Sequence, residues 1–237
     1  MLLFGLWLGF GRAGLRGSRR LVPWTVIAAV VLTWLSTVWT LSARGTFVSA
    51  TTAGAAGAGT HIVVPFILIA VGTLVILTRS RTMTAVLDAA PLWWLVAFQA
   101  YRITGFVFLR LRNHGFLPGY FALPAGIGDT LTGLFAIGAA LALQRELPWA
   151  RRFAYAVDIF GLADLINAVS MGVLTAAKSP TGMSPMLVYP LSIVPTSGVP
   201  LAAIMHCLSL WQLKRRPQGS TSEKHVYHDH SLGQAQA

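Results

Sequence analysis

Four charged side chains and one histidine fall deep inside apolar runs. Arg102 sits in PLWWLVAFQAYRITGFVFLRL, Asp129 in FALPAGIGDTLTGL, and Asp158 and Asp164 in FAYAVDIFGLADLINAVSMGVLTAA. His206 sits in MLVYPLSIVPTSGVPLAAIMHCLSLWQL. An arginine presents five donors in a planar fork, so one guanidinium can bridge two carboxylates. Depth counted along each run, at about 1.5 Å per residue, puts Arg102, Asp129 and Asp164 in one layer. The expected role of Asp129 is therefore to hold Arg102, with Asp164 as the second acid. Gln99 stands one turn before Arg102 on the same helical face, and Asn167 one turn after Asp164, so both are expected to join the network. His206 matches the depth of Asp158. An imidazole titrates near neutral pH, so this pair could pass protons, or His206 could be a neutral histidine hydrogen-bonded in the core.

Such groups are costly where they stand. An arginine at the centre of a membrane helix costs about 2.5 to 3.5 kcal/mol to insert, which demands a partner or a wet cavity. Snorkelling does not relieve it, because Arg102 lies roughly 13 Å from either end of its run. Gly126, Gly128 and Gly133 remove side-chain bulk around Asp129, so a neighbouring helix can approach closely there. Prolines at 190, 195 and 200 are expected to break the outer half of the last run and free carbonyls beside Thr196 and Ser197.

The elements that must position these residues are membrane helices. Of the residues, 55% are apolar and only 11% charged, in runs too long for one globular core. Crossing about 30 Å of hydrocarbon takes roughly 20 residues of helix. Six runs meet that length, at about 21–41, 61–78, 89–111, 122–143, 153–176 and 187–213. The reading is an all-α membrane protein, a bundle of about six transmembrane helices. Residues 1–20 form a basic N-terminal arm, 21–213 the helical domain and 214–237 a disordered tail. Between the first two runs, SARGTFVSATTAGAAGAGT reads as a loop.

Placing the N-terminus inside puts thirteen Lys and Arg on the cytoplasmic side (Arg12, Arg16, Arg19, Arg20, Arg79, Arg81, Arg145, Arg151, Arg152, Lys214, Arg215, Arg216, Lys224) and four outside (Arg44, Arg110, Arg112, Lys178). That bias predicts an N-in, C-in topology. A signal peptide cleaved after Ala50 is the rival account of the first run, whose apolar core is longer than such peptides use.

The net charge of +11 belongs to the flanks of apolar runs, where lipid headgroups act on it, and not to a nucleic-acid surface. Cys207 is the only cysteine, which excludes an internal disulfide. No phosphate-cradling glycine loop, HExxH, GxSxG or CxxC occurs. His61 and His114 lack companion ligands at diagnostic spacing, and HVYHDH at 225–230 lies in the tail. No cofactor, no metal ligand and no catalytic residue is assigned. The expected partners are the lipid bilayer and a small polar solute, an ion or a proton.

The blocks FQAYRITGFVFL, HGFLPGYFALPAGIGDTLTGL, GLADLINAVSMG and YPLSIVPTSGVPLAAIMHCLSL together resemble an uncharacterised family of bacterial multi-pass inner-membrane proteins, over residues 90–213. The matching positions are Gln99, Arg102, Gly105, Pro118, Pro124, Gly126, Gly128, Asp129, Asp164, Pro195, Pro200 and His206. The resemblance implies a bacterial inner-membrane location and no particular activity.

Three functional expectations follow. The first is a small permease or solute- or ion-binding protein whose candidate site comprises Arg102, Asp129, Asp164, Gln99, Asn167 and His206. The second is an accessory or scaffold protein whose charged network only orders its helices. The third is a membrane-embedded hydrolase or transferase holding a metal between Asp129, Asp164 and His206.

Overall fold

A computed structural model describes residue 7 and residues 9–14, 16–49 and 55–215. Among these, every regular element is helical. Among the described residues, five helices are long and apolar enough to cross a membrane, or six where a bent pair counts as one span. The chain is a multi-helix membrane protein.

Helix α1, Ser18–Ala43, is the most peripheral. Only 11% of its apolar window is buried, and Leu21, Val26 and Val30 face outward. It starts earlier than its apolar run suggests, so Pro23 lies inside it and not in its first turn. Its far end meets the bundle through a hydrogen bond between Ser42 and Ser192 and through Trp39 packed on Tyr189. Helix α2, Ala55–Arg79, begins inside the stretch expected to be a loop. The alanines of AAGAGT favour helix once an apolar segment follows to anchor it.

The chain then turns by 87° into α3, Arg81–Ala89, at Ser80, whose side chain accepts from the Met83 amide. No helix was expected here, because nine residues are too few to cross. Met83, Val86 and Leu87 are buried while Arg81 and Thr82 are exposed, the one-sided pattern of a helix lying along a surface. Phe10 is fully buried against Met83 and Val86, which ties the N-terminal arm to this corner.

The third span, Leu92–Asn113, is not one uniform helix. It runs as α4 (Leu92–Ala97), a 3₁₀ stretch (Phe98–Gly105) and α5 (Phe106–Asn113). Helix α6, Gly119–Gln144, and α7, Ala150–Lys178, are long and regular. Helix α6 buries Ala125, Gly126, Gly128, Gly133, Ala136 and Ala139. Small residues along one side bring backbones together where lipid supplies no hydrophobic drive between helices.

The last span departs most from its expected form. Residues 189–192 are turns, with a cis peptide bond between Tyr189 and Pro190. A π-helical turn follows at Val194–Gly198, and only then α8, Val199–Arg215. The outer half of the span is therefore interrupted once by the turns and once by the π turn. Pro190 sits in the turn, Pro195 in the π turn, and Pro200 just after it, where the Val199 amide reaches back to the Val194 carbonyl.

Candidate functional site

Gln99, Arg102 and Gly105 belong to the 3₁₀ stretch and are all buried. With three residues per turn their side chains stack in one line, whereas an α-helix would rotate each about 60° from the last. This winding aims the row at α6, α7 and α8. Where the row meets them, glycine removes the obstacle. A Cβ on Gly105 would collide with the Cβ of Asp129, and one on Gly128 with the Asp164 carboxylate. A Cβ on Gly161 would strike the His206 ring.

Arg102 is 3% exposed and makes four contacts. Its Nε donates to Asp129 Oδ1 at 2.7 Å and its Nη2 to Asp164 Oδ2 at 2.5 Å. Its Nη1 donates to the Gly161 carbonyl at 3.1 Å and meets His206 Nε2 at 3.1 Å. On the far side of the imidazole, His206 Nδ1 lies 2.8 Å from Asp158 Oδ1. A guanidinium nitrogen has hydrogens but no acceptor, so Nε2 must accept and the imidazole proton must sit on Nδ1, donating to Asp158. Neutral His206 is thereby fixed in one tautomer. The arrangement holds one guanidinium against three carboxylates, with Asp129 the most accessible at 17% of its side chain and Asp158 at 1%.

Two expected members stand differently. Gln99 is fully buried but is not a hydrogen-bond partner of Arg102; its Nε2 donates to the Ala202 carbonyl at 3.0 Å, pinning the 3₁₀ stretch to α8. Asn167 is exposed and makes no hydrogen bond to the cluster. One helical turn from Asp164 shares its face only roughly, and the packed sector of α7 is narrower than that. Carbonyls near Thr196 and Ser197 are also taken by protein donors: Thr196 Oγ1 bonds the Ser192 carbonyl at 2.5 Å, and Tyr101 Oη the Gly198 carbonyl at 2.8 Å.

The space between Asp129, Asp164 and His206, where a shared metal would need to lie, is filled by the Arg102 guanidinium. Among the described residues no group of three His, Cys, Asp or Glu side chains is placed to hold a metal. His114 is exposed at the end of α5, and the side chain of His61 and the 225–230 cluster lie outside the described residues.

The Gly161 carbonyl was not expected, whereas His206 was a candidate extension of the Arg102 layer and meets Arg102 Nη1 there. A glycine three residues before Asp164, on the same helical face, was the available signal for that carbonyl.

This bundle coincides with a recognised sequence unit. Residues 57–214 match the family model described as Domain of unknown function (DUF8737). The chain belongs to this family. The family region takes in α2 as well as the four later spans, so it extends upstream of residues 90–213. Every member of the Arg102 cluster lies within it. Comparison with curated proteins and with solved structures finds no match.

Proposed function

We propose that this chain is a small permease or ion-binding protein of a bacterial inner membrane, oriented with both termini inside. Its Arg102, Asp129 and Asp164 layer contacts a small cation, a proton or a small polar solute. One observation carries the reading: Arg102 is the single guanidinium in a cluster of three carboxylates, with Asp158 and Asp164 buried, Asp129 partly exposed and Asp158 reached through His206. Charging His206 does not restore the balance, because an Nε2 proton would face the Arg102 donor. Positive charge from outside the chain would. Uncompensated charge is expensive in a low dielectric, and ionisable groups within spans mark solute and proton pathways. The partial exposure of Asp129 offers a point of entry. The orientation rests on the distribution of Lys and Arg.

The test is flux in proteoliposomes, read with pH-sensitive and alkali-cation dyes. Wild type is expected to dissipate an imposed gradient, and folded Arg102→Ala and Asp129→Ala variants to lose that activity. Flux unchanged in both variants overturns the reading.

The scaffold reading also has a specific observation behind it, since every guanidinium nitrogen of Arg102 has a protein acceptor. It requires that Arg102→Ala plus Asp129→Ala together cost less stability than Arg102→Ala alone, because the single change strands both Asp129 and Asp164 while the double change strands only Asp164. Under that reading wild type carries no flux.

A further inference from the structure

Beyond His206, buried oxygens continue toward the end of the bundle where α8 finishes. Asp158 Oδ1 accepts from His206, but Asp158 Oδ2 has no protein partner. Ser209 faces Asp158, and its Oγ has no partner at full hydrogen-bond geometry. Gln212 donates through Nε2 to the carbonyls of Leu87 and Ala90, while its Oε1 is unpaired. All three side chains are at most 1% exposed. Buried polar atoms without partners are rare in native proteins, and bridging water is their usual remedy.

Ser209 and Gln212 follow His206 by three and six residues, so they rise about 9 Å along α8 while turning about 120° around it, and all three are buried. Their end of the bundle is the basic one. Arg151 donates to the Leu213 carbonyl there, and Arg215 pairs with Asp88. Oxygens strung along a helix do not converge on one point, as the ligands of a bound cation must. They match a file of water leading to a carboxylate.

We propose that Asp158 is the proton-binding group of the buried cluster and that Ser209 and Gln212 line the hydrated lane connecting it to the end of α8. This rests on the ion-binding reading and names its ion. A proton from lane water adds to Asp158 Oδ2, forming one O–H bond and turning the carboxylate into a neutral acid. The water that gave it recovers a proton from the next. Release reverses the step, and Oδ1 keeps the His206 Nδ1–H throughout. The polar groups facing Asp158 are His206, Cys207 and Ser209, all on α8, with Arg102 beyond the imidazole.

Infrared difference spectra of the reconstituted full chain, taken on acidification, test the binding group. A protonated-carboxyl band is expected that is absent in Asp158→Asn and present in Asp129→Asn and Asp164→Asn. Proton flux into liposomes should fall roughly tenfold or more in Asp158→Asn, the scale of losing a proton-transfer group. It should fall severalfold in Ser209→Ala, which leaves the bond between His206 and Asp158 in place. A band and a flux that survive Asp158→Asn, or a flux indifferent to Ser209→Ala when Asp158→Asn does not fold, overturn the proposal. Flux of sodium or potassium that depends on Arg102 but ignores Asp158 overturns it while leaving the ion-binding reading intact. Wild type that conducts nothing overturns both.

Discussion

His206 Nε2 faces Arg102 Nη1 at 3.1 Å, and this one contact settles where the imidazole proton resides. Because the guanidinium can only donate, Nδ1 carries the hydrogen and gives it to Asp158. Nitrogen-15 spectra of histidine-labelled protein should therefore show His206 with a protonated Nδ1 and a bare Nε2. In Arg102→Leu that constraint is lifted, and a shift of the population toward the other tautomer is expected. An Nε2–H signal in wild type would contradict the geometry.

Replacing Arg102 by lysine keeps the charge but not the shape. A compact ammonium cannot reach Asp129, Asp164, the Gly161 carbonyl and His206 at once, as the fork does. Unfolding in mixed micelles should show Arg102→Lys destabilised by about 3 kcal/mol, the scale of breaking a buried ion pair. A loss below about 1 kcal/mol would mean the fork is dispensable.

Glycines at the helix crossings should tolerate no side chain. Gly128→Ala forces a methyl into the Asp164 carboxylate and Gly161→Ala one into the His206 ring, at an expected cost of about 1 to 3 kcal/mol each. Gly72, which meets nothing within 4 Å, is the matched control. Its alanine variant should be neutral or slightly stabilising in the same melting experiment.

Gln212 closes the corner between α3 and α4 by donating to the carbonyls of Leu87 and Ala90, at 3.0 and 2.6 Å. Gln212→Leu strands the Ala90 carbonyl, while Leu87 keeps the Ala90 amide, and should cost about 1 to 3 kcal/mol. It should also speed hydrogen exchange in Arg81–Ala89 selectively. Uniform exchange across the bundle would show that the corner is held by other contacts.

The exposed pair Arg215 and Asp88, 3.3 Å apart, should behave oppositely. Arg215→Ala is expected to change stability by less than about 1 kcal/mol, with the difference vanishing in high salt.

Sequence alone determined that this chain forms membrane helices and which ionisable groups lie deep in them. Hydropathy and run length are local properties, and hydrocarbon leaves a long apolar segment no alternative to satisfying its own backbone. The pairing of Arg102 with Asp129 and Asp164 was legible too, since a fork at depth must find carboxylates in its own layer. Tertiary structure decided the rest. Residues three apart look alike whether the helix is α or 3₁₀, so only packing against α6, α7 and α8 reveals that Gln99, Arg102 and Gly105 form one straight row. Packing likewise left Asn167 outside the cluster, turned Gln99 to Ala202, and set His206 between Arg102 and Asp158. Which neighbour a buried polar group meets depends on how helices cross, and that information lies in no single segment of the chain.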